Sequence, residues 1–315
     1  MNEKILVTGG SGLLGYALRE LLPDGSFVSG RDYDLRDICA ARRMFAEYQP
    51  DIVIHLAAKV GGVKKNAREN ASLFSDNILI NTNVLTIANE FRTKRVLGVL
   101  SSCAYQYYDD RPSNEDDLHR GSPFFGNLGY ASSKRMLDVQ TRLLETQYGA
   151  EFTTITPVTM YGPNDNWDLE DGHVIGSLIH KCYLAKTQKR PLEIWGSGRA
   201  RRQFVFSFDV AKLILEILKG TYQGPETLIV APNDGYTIKE IAYLVAEAMG
   251  FKGEIKFDIS KPEGALVKVL NGGKFRERFP SFSFTDINKG LQLAAQWFLN
   301  YIVPNDVEEA QSATL

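Results

Sequence analysis

The chain has 315 residues, with 38 acidic against 36 basic side chains and a net charge of -2. That length supports one large domain or two smaller ones around a substantial core, and the near-balanced charge excludes a global attraction to nucleic acid or to an anionic membrane. Three cysteines, at 39, 103 and 182, have no CxxC or Cys/His zinc spacing, which argues against a disulfide framework or a bound metal and for a reduced, cytoplasmic setting.

In chain order, Lys4 to Thr8 reads as a buried strand entered directly from Met1 without a leader-like apolar region, Gly9 to Gly15 as a turn, and Leu13 to Leu22 as a one-faced helix. A short strand at Phe27 to Ser29, a helix at Ile38 to Tyr48 and an apolar strand at Asp51 to Ala58 continue an alternation that predicts parallel βαβ units. One long helix is predicted across Asn66 to Arg92, then a strand at Val96 to Leu100, a helix at Tyr130 to Tyr148 and another strand at Phe152 to Val158. Beyond about residue 160 the pattern becomes irregular, with Gly, Pro and Asn at 162 to 166 and 196 to 198 between helices at 173 to 186 and 237 to 249. The fold class expected is α/β: a Rossmann-type doubly wound parallel sheet over residues 1–160, rejoined near 204–218, with a smaller α/β substrate lobe over 161–315. No stretch approaches the roughly 20 apolar residues of a membrane span.

Glycines at 9, 12 and 15, with Gly10, Ser11, Leu13 and Leu14 between them, suit a tight turn that brings a pyrophosphate to a helix N-terminus. After the second strand, Arg31 stands where an NAD-selective chain would place a carboxylate, which points to the 2′-phosphate of NADP(H); the plainer reading is a solvated loop charge. Asp34 and Leu35 can instead approach the adenine.

Tyr130 and Lys134 lie one helical turn apart, the spacing of a phenol that protonates a carbonyl and a lysine whose charge favours the phenolate. Ser101 can bind the same carbonyl, and Cys103, two residues on, is a candidate acid/base for adjacent carbon acids, with His173 as its counterpart. Read alone, Cys103 is a small buried hydrophobe. His55, His119 and His180 are read as structural or solvated.

These residues resemble the extended short-chain dehydrogenase/reductases, and within them the GDP-4-keto-6-deoxymannose epimerase-reductases, the GDP-L-fucose synthase family. The likeness runs through Ala57 to Gly62, Ser101-Ser102-Cys103, Gly129 to Arg135, Tyr161 to Asn166, Glu170 to Val174, Trp195 to Gly198, Arg201 to Phe204 and Ser260 to Gly264. It implies a bifunctional enzyme in which Cys103 and His173 exchange protons at C3 and C5 of a 4-keto sugar, Ser101 and Tyr130 bind the carbonyl oxygen, NADPH reduces C4, and Lys134 holds the nicotinamide ribose. It also implies cofactor contacts at Ala57, Pro157, Met160 and His173, a GDP-sugar substrate bound by Lys181, Trp195, Arg202 and Glu263, and a homodimer through the helices at 66 to 92 and 130 to 148. This chain departs from the family pattern at Gln106, Thr159, Asn164 and Ala265-Leu266-Val267, just before Lys268, which predicts an altered sugar pocket. The alternatives are a reductase of another GDP-4-keto sugar, such as a dideoxy or heptose form, with one or no epimerisation, and a non-catalytic NADP-binding sensor.

Overall fold

The first strand, β1 (Ile5–Thr8), is buried at every position, as a strand covered on both faces must be. The structure, a computed structural model, describes residues 3–304 except 109–110, 222–226, 233 and 262–264. After β1 come α1 (Leu13–Leu21), β2 (Ser26–Val28), α2 (Ile38–Tyr48), β3 (Ile52–His55), α3 (Val63–Arg68), α4 (Asn70–Glu90), β4 (Arg95–Val99), α5 (Leu128–Tyr148) and β5 (Glu151–Pro157). The second half carries β6 (Thr159–Tyr161), α6 (Val174–Thr187), β7 (Leu192–Trp195), β8 (Arg201–Arg202), β9 (Phe204–Phe206), α7 (Ser207–Glu216) and β10 (Leu228–Val230). It ends with β11 (Tyr236–Thr237), α8 (Ile238–Ala248), β12 (Ile255–Asp258), β13 (Val267–Lys268), α9 (Gly273–Arg278) and α10 (Ile287–Tyr301).

Six parallel strands form the main sheet in the order β2-β1-β3-β4-β5-β10. The expected doubly wound α/β architecture is present. The chain steps from β1 outward to β2 and then returns past β1 to β3, so the switch in direction falls between β1 and β3, where open α/β sheets bind ligands at the carboxyl ends of their strands. α1 packs on α7, while α2, α4 and α5 lie side by side in a separate layer. β10 was not foreseen: at three residues, beyond an irregular stretch, it is too short to show a period.

The single helix expected over 66 to 92 is two helices. Glu69 breaks it (φ -112°, ψ 27°), its N–H closing α3 on the Lys65 carbonyl. Asn70 then holds the start of α4, its side chain donating to Phe125 O (2.8 Å) and accepting from Gly129 N. A Cβ on Gly129 would lie 1.9 Å from Asn70 O, so glycine is what lets α5 begin against α4 and fixes the helix that carries Tyr130.

Two apolar clusters form. The larger surrounds the main sheet and takes in, from the second half, residues of β9, α7, β10 and α9. The smaller joins α6, α8 and α10 around Trp167, Phe204 and Phe298. Beside it β7 pairs with β12, and β8 lies between β11 and β13. The β8–β13 pairing sets Lys268 opposite Arg202.

Candidate active site

The carboxyl ends of β1 to β5 open onto one cleft of about 570 Å³. On its cofactor side, Gly9 has φ +73°, and a Cβ there would lie 2.8 Å from Ala57 N; one on Gly15 would lie 2.6 Å from Gly9 O. Gly12 has no atom closer than 3.5 Å to such a Cβ, so the space ahead of α1 stays open, and no side chain caps that helix. This cradle fits a dinucleotide pyrophosphate: its floor is backbone and its donors are the uncapped N–H groups of the first turn.

Of the residues read as cofactor-binding, Gly9, Ser11, Gly12, Leu13, Leu14, Gly15, Asp34, Leu35, Ala57, Lys134, Pro157, Met160 and His173 all line the cleft. Gly10 is buried behind it, where a Cβ would meet Phe27. Arg31 is exposed beside the cleft and not in its wall. Arg36, which was not singled out, does line it, tied to Asp34 (2.7 Å) and Asp76 (3.3 Å). The Arg36 guanidinium holds the Asp34 carboxyl down to about 2.

Lys134 is 3% exposed, and its ammonium donates to the Val99 carbonyl at 2.8 Å. Burial depresses it to about 8. The phenol behaves otherwise than expected: Tyr130 is pushed up by burial and then by the charge of Cys103, against a hydrogen bond from Ser101 and the positive charge of Lys268. Lys134 Nζ lies 5.8 Å from the Tyr130 ring centroid, and burial outweighs the influences that favour the phenolate. A phenol that keeps its proton is suited to give that proton to an alkoxide.

Cys103 sits on a short 3-10 turn capped by Ser101, whose hydroxyl accepts from Cys103 N at 3.2 Å. Lys268 Nζ lies 3.0 Å from its sulfur. Burial alone would raise the thiol, but the Lys268 ammonium and hydrogen bonds from Lys268, Ser101 and Asn127 bring it below its ordinary value, while Lys268 itself is raised against burial by Cys103 and Tyr107. His173 Nδ1 donates to Asp165 Oδ1 at 2.7 Å, which leaves Nε2 to the cleft that His173 lines. Burial lowers that imidazole, but Asp165 outweighs it and the net shift is upward.

Thiol, imidazole, hydroxyl and phenol therefore share one cleft, a constellation that can exchange protons beside a carbonyl and protonate its oxygen after reduction. Lys268 had stood out only as the end of a divergent stretch. It lies 165 residues from Cys103, and β13 is too short to announce itself. Asp165 lay inside a quoted motif, eight residues before His173, without being given a role. Two of the departures also take shape. Asn164 reaches across to donate to Ser11 O at 3.0 Å, and Gln106 packs against Gly121, where a Cβ would be 1.4 Å from its amide oxygen.

Of the residues read as substrate-binding, Lys181, Trp195 and Arg202 sit outside the cleft wall. Lys181 lies over the Trp195 ring at 4.4 Å from its centroid, and Lys64, from α3, at 4.8 Å. Arg202 stands on β8 beside Lys268. Glu263 falls outside the described residues.

With the glycine cradle, the Tyr130–Lys134 turn and the parallel sheet in place, the chain belongs to the NAD dependent epimerase/dehydratase family, whose model matches residues 5–231. Within that family its near relatives are GDP-L-fucose synthases. It is 38% identical over 304 residues to the GDP-L-fucose synthase of Dictyostelium discoideum, covering 94% of this chain and 95% of that one. It is 35% identical over 316 residues to a probable GDP-L-fucose synthase of Drosophila melanogaster, covering 95% and 98%. Among solved structures, a GDP-L-fucose synthetase of Naegleria fowleri bound to NADP superposes with a TM-score of 0.87 at 35% identity over 95% of each chain.

Proposed function

We propose that this chain converts GDP-4-keto-6-deoxy-D-mannose to GDP-L-fucose, by epimerisation at C3 and C5 followed by NADPH-dependent reduction at C4. The observation that carries the reading is the placement of Cys103, with its Lys268 partner at 3.0 Å, in the same cleft as His173 and Tyr130. A simple ketoreductase needs the phenol and lysine; it has no use for a lysine-paired thiol and a carboxylate-braced imidazole beside them.

In the first stage the Cys103 thiolate removes the proton from the carbon beside the ketone. Ser101 and Tyr130 donate to the oxygen that gains charge, and the His173 imidazolium returns a proton to the opposite face. Cys103 is brought below its ordinary value and His173 above its own, which supports the thiol as the base and the imidazole as the acid. Asp165 holds the imidazole with Nε2 toward the substrate. Bound NADPH supplies the hydride for C4. Tyr130 gives its retained proton to the resulting oxygen, and Lys134, buried with a single carbonyl partner, is placed to hold the ribose. Arg31, exposed beside the glycine turn, supplies positive charge for the 2′-phosphate. Lys181 and Arg202 take the diphosphate, Trp195 presents an apolar face, and Glu263 completes the nucleotide pocket.

We assign residues 1–160 to the NADP lobe, joined by 204–218 and by the strand at 228–230, and most of 161–315 to the sugar-nucleotide lobe. α4 and α5, whose outer faces expose Phe74, Leu79, Met136 and Leu143, form the contact of a homodimer. The three free thiols fit a cytoplasmic enzyme. Proton NMR of the product formed with NADPH in deuterated water tests the reaction. Deuterium at C3 and C5 of an L-galacto sugar is expected, and reduction without deuterium would make the chain a 4-ketoreductase of another pathway. Sedimentation that shows a monomer at every concentration would overturn the dimer.

A further inference from the structure

We propose that His55 is a positioning residue for hydride transfer: its neutral imidazole ties the cofactor side of the cleft to the helix of Tyr130 and Lys134 through one continuous buried relay. The inference rests on the enzymatic reading above, yet its first test needs only the cofactor.

The relay begins at the Ala57 N–H, which donates to Thr8 Oγ1 at 3.3 Å. Thr8 Oγ1 is 2.9 Å from His55 Nδ1, and His55 Nε2 is 3.1 Å from Asn81 Oδ1. Asn81 Nδ2 donates to Ser133 O at 3.2 Å. Thr8, His55, Asn81 and Ser133 are all buried. The direction of each bond follows from its last member. The Asn81 amide nitrogen is committed to a carbonyl, so its oxygen accepts from His55; Nε2 therefore carries the proton, and Nδ1 accepts from the Thr8 hydroxyl. No other neutral side chain accepts at one corner of a rigid ring while donating at another. Charging the imidazole would turn its acceptor into a second donor. Burial, with Lys134 nearby, holds His55 down to about 4, so it stays neutral at any pH near neutrality.

The relay's two ends matter to the reaction. Thr8 and His55 are paired across the β1–β3 switch point, and Ala57 lines the cleft. Ser133 directly precedes Lys134, and its own hydroxyl donates to Tyr130 O at 2.7 Å. The groups facing the Lys134 ammonium are His55 from β3, Tyr130 from its own helix and the Val99 carbonyl from β4. His55, fully buried and close enough to feel the Lys134 charge, belongs to the dry interior around that ammonium. Removing the ring admits water behind the ammonium and lets it keep its proton to higher pH.

His55→Asn keeps an acceptor near the Nδ1 position and loses the donor; His55→Gln does the reverse. NADPH binding is followed by fluorescence from neutral to alkaline pH. Wild-type affinity should decline as Lys134 loses its proton near its value of about 8, and both variants should decline at higher pH, by about half a unit or more. With the 4-keto sugar in deuterated water, the ratio of hydride transfer to C3 and C5 exchange should fall about tenfold. An alkaline decline left in place in both variants, or hydride transfer and exchange reduced in equal proportion, would make His55 an inert packing residue and overturn the proposal. Thr8→Val, which removes only the hydroxyl link and keeps the ring, should leave the alkaline decline in place and still lower the ratio of hydride transfer to exchange, and Thr8→Ser should restore that ratio; an unchanged ratio in Thr8→Val would overturn the relay even if the His55 variants do not fold. If the wild type binds NADPH with this pH dependence but leaves the sugar unreduced, the functional reading fails while the binding titration still judges the relay.

Discussion

The two sides of the cleft are built on different principles. The cofactor side comes from consecutive βαβ units and is braced by a closed chain of buried polar groups, Thr8, His55, Asn81 and Ser133. The opposite side is gathered from Cys103, His173 with Asp165 behind it, and Lys268, whose charges meet in partial pairs, with Arg202 beside Lys268 outside the wall. Asp165 Oδ2, buried behind His173, has no hydrogen-bond partner among the described residues. Hydride transfer asks for fixed distances, which a saturated frame supplies. Proton exchange asks for groups whose hold on a proton is tuned, and on this side Cys103 is shifted down and His173 up from their ordinary values.

The sharpest way to break this contrast is to remove one reaction and keep the other. Tyr130→Phe should cut NADPH oxidation about a thousandfold while solvent-deuterium exchange at C3 and C5, read by NMR, stays within a few-fold of wild type. Loss of exchange with substrate binding intact would show that the phenol also stabilises the enolate to a decisive degree. Cys103→Ser should do the converse, with exchange falling by a similar order, because a serine hydroxyl has no accessible anion at neutral pH. An unchanged rate of L-sugar formation would remove the thiol from the reaction.

Lys268→Met comes next. Taking away the ammonium leaves burial as the dominant influence on Cys103, and burial pushes a thiol upward. The thiolate, present in the wild type below the ordinary thiol range, would then form only at higher pH. Exchange at pH 7 should fall about a hundredfold and recover as pH rises, while the C4 hydride step tested on a pre-epimerised substrate is little changed. A uniform loss at all pH values would mean that Lys268 acts on the sugar nucleotide and not on the thiol.

The same contrast explains what was readable in the sequence. The glycine turn, the strand alternation and the Tyr130–Lys134 pair are local, so spacing alone places them, and all of them line the cleft except Gly10, which is buried behind it, and Arg31, which lies beside it. Glu69 was missed because no proline or glycine marks the break; Asn70 imposes it through a contact with the start of α5, 59 residues away. Lys268 was missed for the same reason on a larger scale, since only the pairing of two-residue strands brings it to Arg202 and the cleft. His55 looked structural because its partners, Thr8 and Asn81, are 47 residues before and 26 after it. In the cofactor half, Arg31 is the most exposed inference. Arg31→Ala should lower the preference for NADPH over NADH about tenfold, measured as the ratio of kcat/KM values. No change would transfer the 2′-phosphate contact to Arg36 or to Lys59, which line the cleft and share Asp76.

The smallest effect concerns the outer rim, where the two halves meet. Lys64 on α3 and Lys181 on α6 both lie over the Trp195 ring, and Lys181 is lowered first by burial and then by Lys64. Two ammonium groups on one indole repel each other, and Glu170, 2.9 Å from Lys64 and well exposed, offsets only part of that charge. A diphosphate arriving between them would remove the repulsion, so both lysines should favour the bound state. Because Lys64 is half exposed, its share is modest and screened. Lys64→Met should raise KM for the sugar nucleotide about three-fold at low salt, leave kcat unchanged, and lose its effect as salt is raised. A fall in kcat would instead place Lys64, through Glu170 and the loop that ends at His173, among the groups that hold the imidazole in position.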